Sequence, residues 1–217
     1  MRDCGRLITL EGSEGCGKTT QLRLLNEHLR SCGLRVLAVR EPGGTPVGEA
    51  VRHLLKHSPD GRGMCPETEL LLFAASRAEL VRKLVRPALA DGVWVLCDRF
   101  YDSTTVYQGI ARGLPPNAVS VVNEFAVGSC RPDLTLLFDL PVETALARMK
   151  HRPASGAEHD RMEAEPESFY ARVRHGYLEL AAAEPERFRV IDADGSPEEV
   201  FQRVVAVLNP LLYAPAR

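Results

Sequence analysis

Short apolar runs, each closed by a polar or glycine-rich turn, alternate along this chain with longer segments whose apolar residues recur at helical spacing. Such alternation predicts a parallel sheet covered by helices. Five runs are candidate strands, at Leu7–Leu10, Arg35–Val39, Val93–Cys97, Leu134–Phe138 and Arg189–Ile191. They show little strict in/out alternation, as expected when both faces of a sheet are covered. The expected fold is therefore α/β, a three-layer arrangement with one five-stranded parallel sheet and helices on both faces.

Leu22, Leu25 and Leu29 share one helical face and Gly33 supplies a stop, which predicts a helix from about Gly17 to Cys32. A second helix is expected over Pro66–Ala90, opening with Pro-Glu and closing at the Asp91-Gly92 turn. Further helices are expected over Val142–Lys150, Pro166–Ala183 and Pro197–Leu208. His151–Glu165 mixes Pro153, Ser155 and Gly156 with charges and lacks an apolar face, so a lid is expected at about 148–165. With neither internal repeat nor linker, residues 1–217 are expected to form one domain.

Composition narrows the function. A formal net charge of −2 argues against generic adherence to nucleic acid, so any phosphate chemistry is local. No stretch reaches the roughly 18 apolar residues that a membrane span needs, and the N-terminus carries charge, so a cytoplasmic location without a membrane partner is expected. Six cysteines without paired spacing are expected to be free thiols used for packing in a reducing compartment. Six histidines without ligand spacing give no sign of a metal held by imidazoles.

Against that background one segment stands out. Gly12-Ser13-Glu14-Gly15-Cys16-Gly17-Lys18-Thr19 satisfies GxxxxGK[ST] between the first strand and the first helix, where the mechanism requires it. Glycines let successive backbone N–H groups and the positive helix end converge on phosphate oxygens. Lys18 neutralises charge, Thr19 offers a hydroxyl to Mg2+, and Thr20 follows in the ATP-binding set. This motif makes the sheet that of a P-loop NTPase. Asp98 closes the third strand, where open α/β sheets place their ligand crevice, and is a second Mg2+ candidate, directly or through water; capping of the next segment is its structural alternative.

The accompanying words Arg40-Glu41-Pro42-Gly43-Gly44-Thr45, Phe73-Ala74-Ala75-Ser76-Arg77, Asp98-Arg99-Phe100 and Tyr107-Gln108-Gly109 together resemble bacterial thymidylate kinase. Arg131-Pro132-Asp133-Leu134-Thr135, Asp160-Arg161 and Tyr177-Leu178-Glu179-Leu180 continue the resemblance in the family's order over nearly the whole chain. The resemblance implies transfer of phosphate from Mg-ATP to dTMP in dTTP biosynthesis. It implies that Phe73 stacks on thymine, that Arg77 donates to a base carbonyl, that Arg99 reaches the acceptor phosphate, that Glu14 accepts from the 3′-hydroxyl and that Tyr107 crowds the place of a 2′-hydroxyl. Arg40 is expected near the same phosphate, and Thr104 and Gln108 along the base pocket. A donor-only guanidinium suits a keto oxygen and opposes an amino group. Without the resemblance, Phe73 is equally a helix packing residue, Arg77 a solvated partner for Glu69 and Tyr107 a half-buried packing residue.

The family divides over its last catalytic cation, and Ser13-Glu14-Gly15-Cys16 contains no arginine. The chain thus resembles the class whose arginine sits on the lid, with Arg148, Lys150, Arg152 and Arg161 as candidates and Arg161 preferred with Lys18 and Arg99 as catalytic residues. The segment between Arg152 and Asp160 is longer than usual for that class. A GTP-dependent switch is disfavoured because no NKxD word is present. The resemblance also implies a homodimer with helices such as Glu67–Arg86 at the contact.

Overall fold

The computed structural model describes residues 5–151, 161 and 165–212. Five strands, β1 (Leu7–Glu11), β2 (Val36–Arg40), β3 (Trp94–Asp98), β4 (Leu134–Asp139) and β5 (Phe188–Asp192), form one parallel sheet in the order β2-β3-β1-β4-β5. Each strand falls within one residue of its expected place, because a run buried on both faces is apolar at consecutive positions and stops where the chain turns. All five residues of β1 are buried, as its central position requires.

Alternate residues of β1 face two different helical layers. Ile8 and Leu10 pack with Leu25 and Leu29 of α1 (Lys18–Ser31) and with Val200, Val204 and Leu208 of α9 (Pro197–Leu212). On the other face Leu7 packs with Leu80 of α3 (Pro66–Leu80) and with Val85 and Phe100. Also on that face, Leu137 packs with Phe169, Val173 and Tyr177 of α8 (Glu167–Ala183). Each fully buried leucine contributes about 1.5–3 kcal/mol relative to exposure, so the sheet is clamped from both sides. This is the P-loop NTPase fold in three layers.

The helical layer departs from expectation in detail. Pro66–Ala90 is helical throughout but changes winding at Val81–Val85, which is π-helical before α4 (Arg86–Ala90) begins. A wider turn leaves no mark in apolar spacing that a reader of the sequence can separate from an α-helix. Three further helices were not foreseen. They are α2 (Pro46–Lys56), α5 (Tyr101–Thr104), which continues into the π-helical Thr105–Ala111, and α6 (Pro116–Val127). For α2 the start signal was present: Thr45 accepts a hydrogen bond from the Gly48 N–H at 3.0 Å, and Pro46 occupies the first turn. Helix α7 (Val142–Lys150) lies where expected. Most of the expected lid, including Arg152 and Asp160, lies outside the described residues.

The cysteines divide. Cys16, Cys97 and Cys130 are buried free thiols, as expected of packing residues, whereas Cys32 and Cys65 are exposed and pack nothing into the core. No helix among the described residues is long and apolar enough to cross a membrane.

Candidate active site

Sheet order determines where the site lies. β1 is flanked by β3 on one side and β4 on the other, so connections diverge at its carboxyl end and open a crevice there. Gly12 and Gly15 stand in left-handed backbone conformations, at φ 137° and 77°. A Cβ on either would collide with a carbonyl oxygen, that of Phe138 for Gly12 and that of Ala145 for Gly15, so only glycine fits. Gly17, at φ 89°, is the N-cap of α1 and has no side chain to cover its opening N–H groups, which face an incoming anion.

Lys18 is buried, and its Nζ curls back over the turn to donate to the carbonyls of Gly12 at 3.0 Å and Ser13 at 2.6 Å. The Cys16 thiol packs 3.5 Å from the same Nζ. Thr19, exposed on the first turn of α1 beside Thr20, donates its hydroxyl to Asp98 Oδ2 at 3.0 Å. That contact follows from the pairing of Leu10 with Asp98 across β1 and β3.

Arg99 enters the crevice from a left-handed position, φ 67°. Its Nη1 donates to Gly12 O at 2.9 Å, Ser103 Oγ at 3.1 Å and Tyr177 Oη at 3.3 Å, while Nη2 donates to Glu14 Oε1 at 2.8 Å. Tyr107 donates its hydroxyl to Glu14 Oε2 at 2.6 Å. Burial pushes the Glu14 carboxyl upward, but the charges of Arg99 and Lys18 outweigh it and hold the group below its ordinary value. Beneath Arg99, Glu11 accepts from the Phe100 N–H at 2.7 Å, from Ser103 at 2.6 Å and from Tyr177 at 2.8 Å. Burial, reinforced by nearby Asp102, raises Glu11 to about 7 against these hydrogen bonds and Arg99.

A cleft continues from this point. Glu14, Phe73, Arg77, Arg99, Thr104, Tyr107 and Gln108, all singled out by sequence, line it together. Phe73 is half-buried and presents to the cleft rather than completing a core. Arg77 is no solvated partner for Glu69. It is 1% exposed, and its Nε donates to Glu41 Oε2 at 2.7 Å, Nη2 to Thr104 Oγ1 at 2.7 Å and Nη1 to Asn123 Oδ1 at 2.9 Å. A guanidinium this deep requires a counter-charge, which only a long-range partner supplies. Burial raises Glu41 to about 7 despite Arg77. Tyr107, at 5% exposure, is more deeply buried than a half-buried packing residue and has its hydroxyl committed to the site.

The structure does not bring every candidate to this cleft. Arg40 is exposed and pairs through Nη2 with both carboxylate oxygens of Glu49 at 2.8 Å. Arg148 donates to Ala193 O at 3.0 Å, in the connection between β5 and α9, and Lys150 is exposed at the end of α7. Arg161 donates through Nη2 to Glu69 Oε2 and through Nε to Leu55 O at 3.0 Å, so it is held beside α2 and α3. Sequence reasoning missed Glu11, Glu41, Pro42, Lys56, Phe100, Ser103 and Tyr177 as members of the site. Glu41, Pro42, Phe100 and Tyr177 stood inside the words already quoted, which was signal enough to weigh them. Lys56, at the end of α2, carried none.

Comparison with known proteins gives one answer. A family model described as thymidylate kinase matches residues 10–204. The chain is 53% identical over 205 residues to thymidylate kinase of Desulfosudis oleivorans, covering 93% of this chain and 95% of that one. It is 48% identical over 210 residues to thymidylate kinase of Syntrophotalea carbinolica, covering 96% and 97%. The crystal structure of thymidylate kinase from Ehrlichia chaffeensis aligns with a TM-score of 0.74 at 34% identity, over 94% of this chain and 98% of that one.

Proposed function

The chain belongs to the thymidylate kinase family and is a kinase that phosphorylates dTMP with ATP as phosphate donor, and from that premise we propose how its residues divide the work. The observation that carries the assignment is the continuity of the phosphate turn with the Phe73–Arg77 cleft, bridged by Arg99 and Glu14. The turn from Gly12 to Thr19, with Thr20, holds the ATP phosphates. Arg99 receives the acceptor phosphate by exchanging its contact with Gly12 O, and Lys18 likewise leaves its two loop carbonyls for phosphate oxygens. Glu14, kept ionised by its cationic neighbours, accepts from the 3′-hydroxyl. Tyr107, fixed on Glu14, occupies the space a 2′-hydroxyl needs. Phe73 covers the base, with Arg77, Thr104 and Gln108 along its edge. Arg40 approaches the acceptor phosphate by leaving Glu49.

The donor set at Thr19 and Asp98 fits Mg2+: two hard oxygen ligands 3.0 Å apart suit an ion that keeps waters and phosphate oxygens. When bound, that ion neutralises developing phosphate charge. The chain itself contributes alignment and fixed positive charge, which is most of what phosphoryl transfer requires.

The test is a coupled assay of ADP release with dTMP, dUMP, dCMP, dGMP and UMP at equal concentration. We expect dTMP to be preferred, with dUMP a weaker but real substrate, because one methyl group in an apolar pocket discriminates by only about 1–3 kcal/mol. Equal turnover of UMP and dUMP removes Tyr107 from its role.

The same reading includes a cytoplasmic homodimer built on α3 and α6. Leu71 on α3 and Val121 and Phe125 on α6 are large apolar side chains at 58%, 59% and 80% exposure, and the two helices pack together. Light scattering should return twice the 23.9 kDa chain mass, and Phe125→Glu should return the single-chain mass.

A further inference from the structure

Gln108 is 1% exposed yet lines the cleft beside Arg77. An amide has a donor end and an acceptor end, and which of them meets the ligand decides what it reads. Here the choice is made by a residue outside the cleft lining. Glu69 on α3, also 1% exposed, accepts from Gln108 Nε2 at 2.8 Å. It also accepts from Arg112 Nε at 3.2 Å and from Arg161 Nη2. Burial works to raise this carboxyl, but the hydrogen bonds from Gln108 and Arg161 and the charge of Arg112 bring it below its ordinary value. An ionised carboxylate only accepts, so it meets the amide's Nε2 and leaves the carbonyl oxygen for the ligand.

We propose that Glu69 is a specificity-determining positioning residue, which locks the Gln108 amide with its oxygen toward the base and so selects keto pyrimidines over aminopyrimidines. This rests on the reading of the cleft as the pyrimidine monophosphate site. The ring edge of a keto pyrimidine presents an N–H next to a carbonyl oxygen. Arg77, a pure donor, meets the carbonyl, and Gln108 Oε1 accepts from the N–H. Cytosine reverses both positions, with an unprotonated ring nitrogen beside an amino group, and leaves two buried mismatches. Glutamine at 69 donates as readily as it accepts, so both orientations of the Gln108 amide become available and one of the two mismatches disappears.

The experiment measures kcat/KM for dTMP and dCMP, with ATP, in the wild type, Glu69→Gln, Glu69→Asp, Gln108→Leu and the Glu69→Gln/Gln108→Leu double variant, each checked for folding by thermal denaturation. The dTMP:dCMP ratio should fall by about tenfold in Glu69→Gln, by a similar factor in Gln108→Leu and no further in the double variant, because both substitutions act on one contact. Glu69→Asp, still acceptor-only, should retain most of the ratio. An equal loss on both substrates in Glu69→Gln marks a purely structural role and overturns the proposal. So does an unchanged ratio in Gln108→Leu, a result that stands even if Glu69→Gln does not fold. A wild type without preference for dTMP instead overturns the reading of the cleft itself, and the inference with it.

Discussion

Lys18→Ala is expected to lower kcat by about 10³-fold or more while leaving the fold intact, measured by ADP release with dTMP and by circular dichroism. The expectation follows from where the ammonium sits. Its Nζ lies within 3.0 Å of two carbonyls of the phosphate turn, so phosphate oxygens can take the place of those carbonyls. Little structural cost is foreseen, because the turn is shaped by its glycines and by the start of α1 rather than by the lysine. Wild-type turnover in this variant contradicts the assignment of the turn to ATP.

Arg161→Ala is expected to lower kcat by about 10³-fold with a much smaller change in dTMP affinity, the signature of a cation that acts in the transition state. The structure supplies a sharp alternative. Arg161 is engaged by Glu69 and by the Leu55 carbonyl, so catalysis requires it to leave both. If Arg161 serves only to brace Glu69, its removal acts through Gln108 and raises KM for dTMP, with kcat reduced by less than about tenfold. Steady-state kinetics on both substrates separate the two results.

The strands and the phosphate turn were legible because each is encoded locally. A buried parallel strand is a continuous apolar run, and the turn needs glycines at fixed offsets before a lysine. What escaped reading is non-local. Arg77 and Glu41 are 36 residues apart, and Gln108 and Glu69 are 39 apart, so neither pairing leaves a pattern in the chain. Read without the family resemblance, Arg77 is a surface residue on a helix, yet it is among the most deeply buried side chains. The change to π winding at Val81–Val85 and Thr105–Ala111 was invisible because a single wider turn shifts apolar spacing too little to be told from an α-helix. Helix α2 differs in kind, since its start is encoded locally by the Thr45 cap and by Pro46.

The place of β1 at the middle of the sheet has a bearing on biosynthesis. During synthesis β1 is made well before either of its neighbours: Val95 pairs with Leu7, and Leu134 with Ile8. One edge of this strand lacks its main-chain partners until β3 has been made, and the other until β4 has. The crevice at the carboxyl end of β1 is therefore framed on both sides only once β4 is out, and chaperone dependence should be greatest before then.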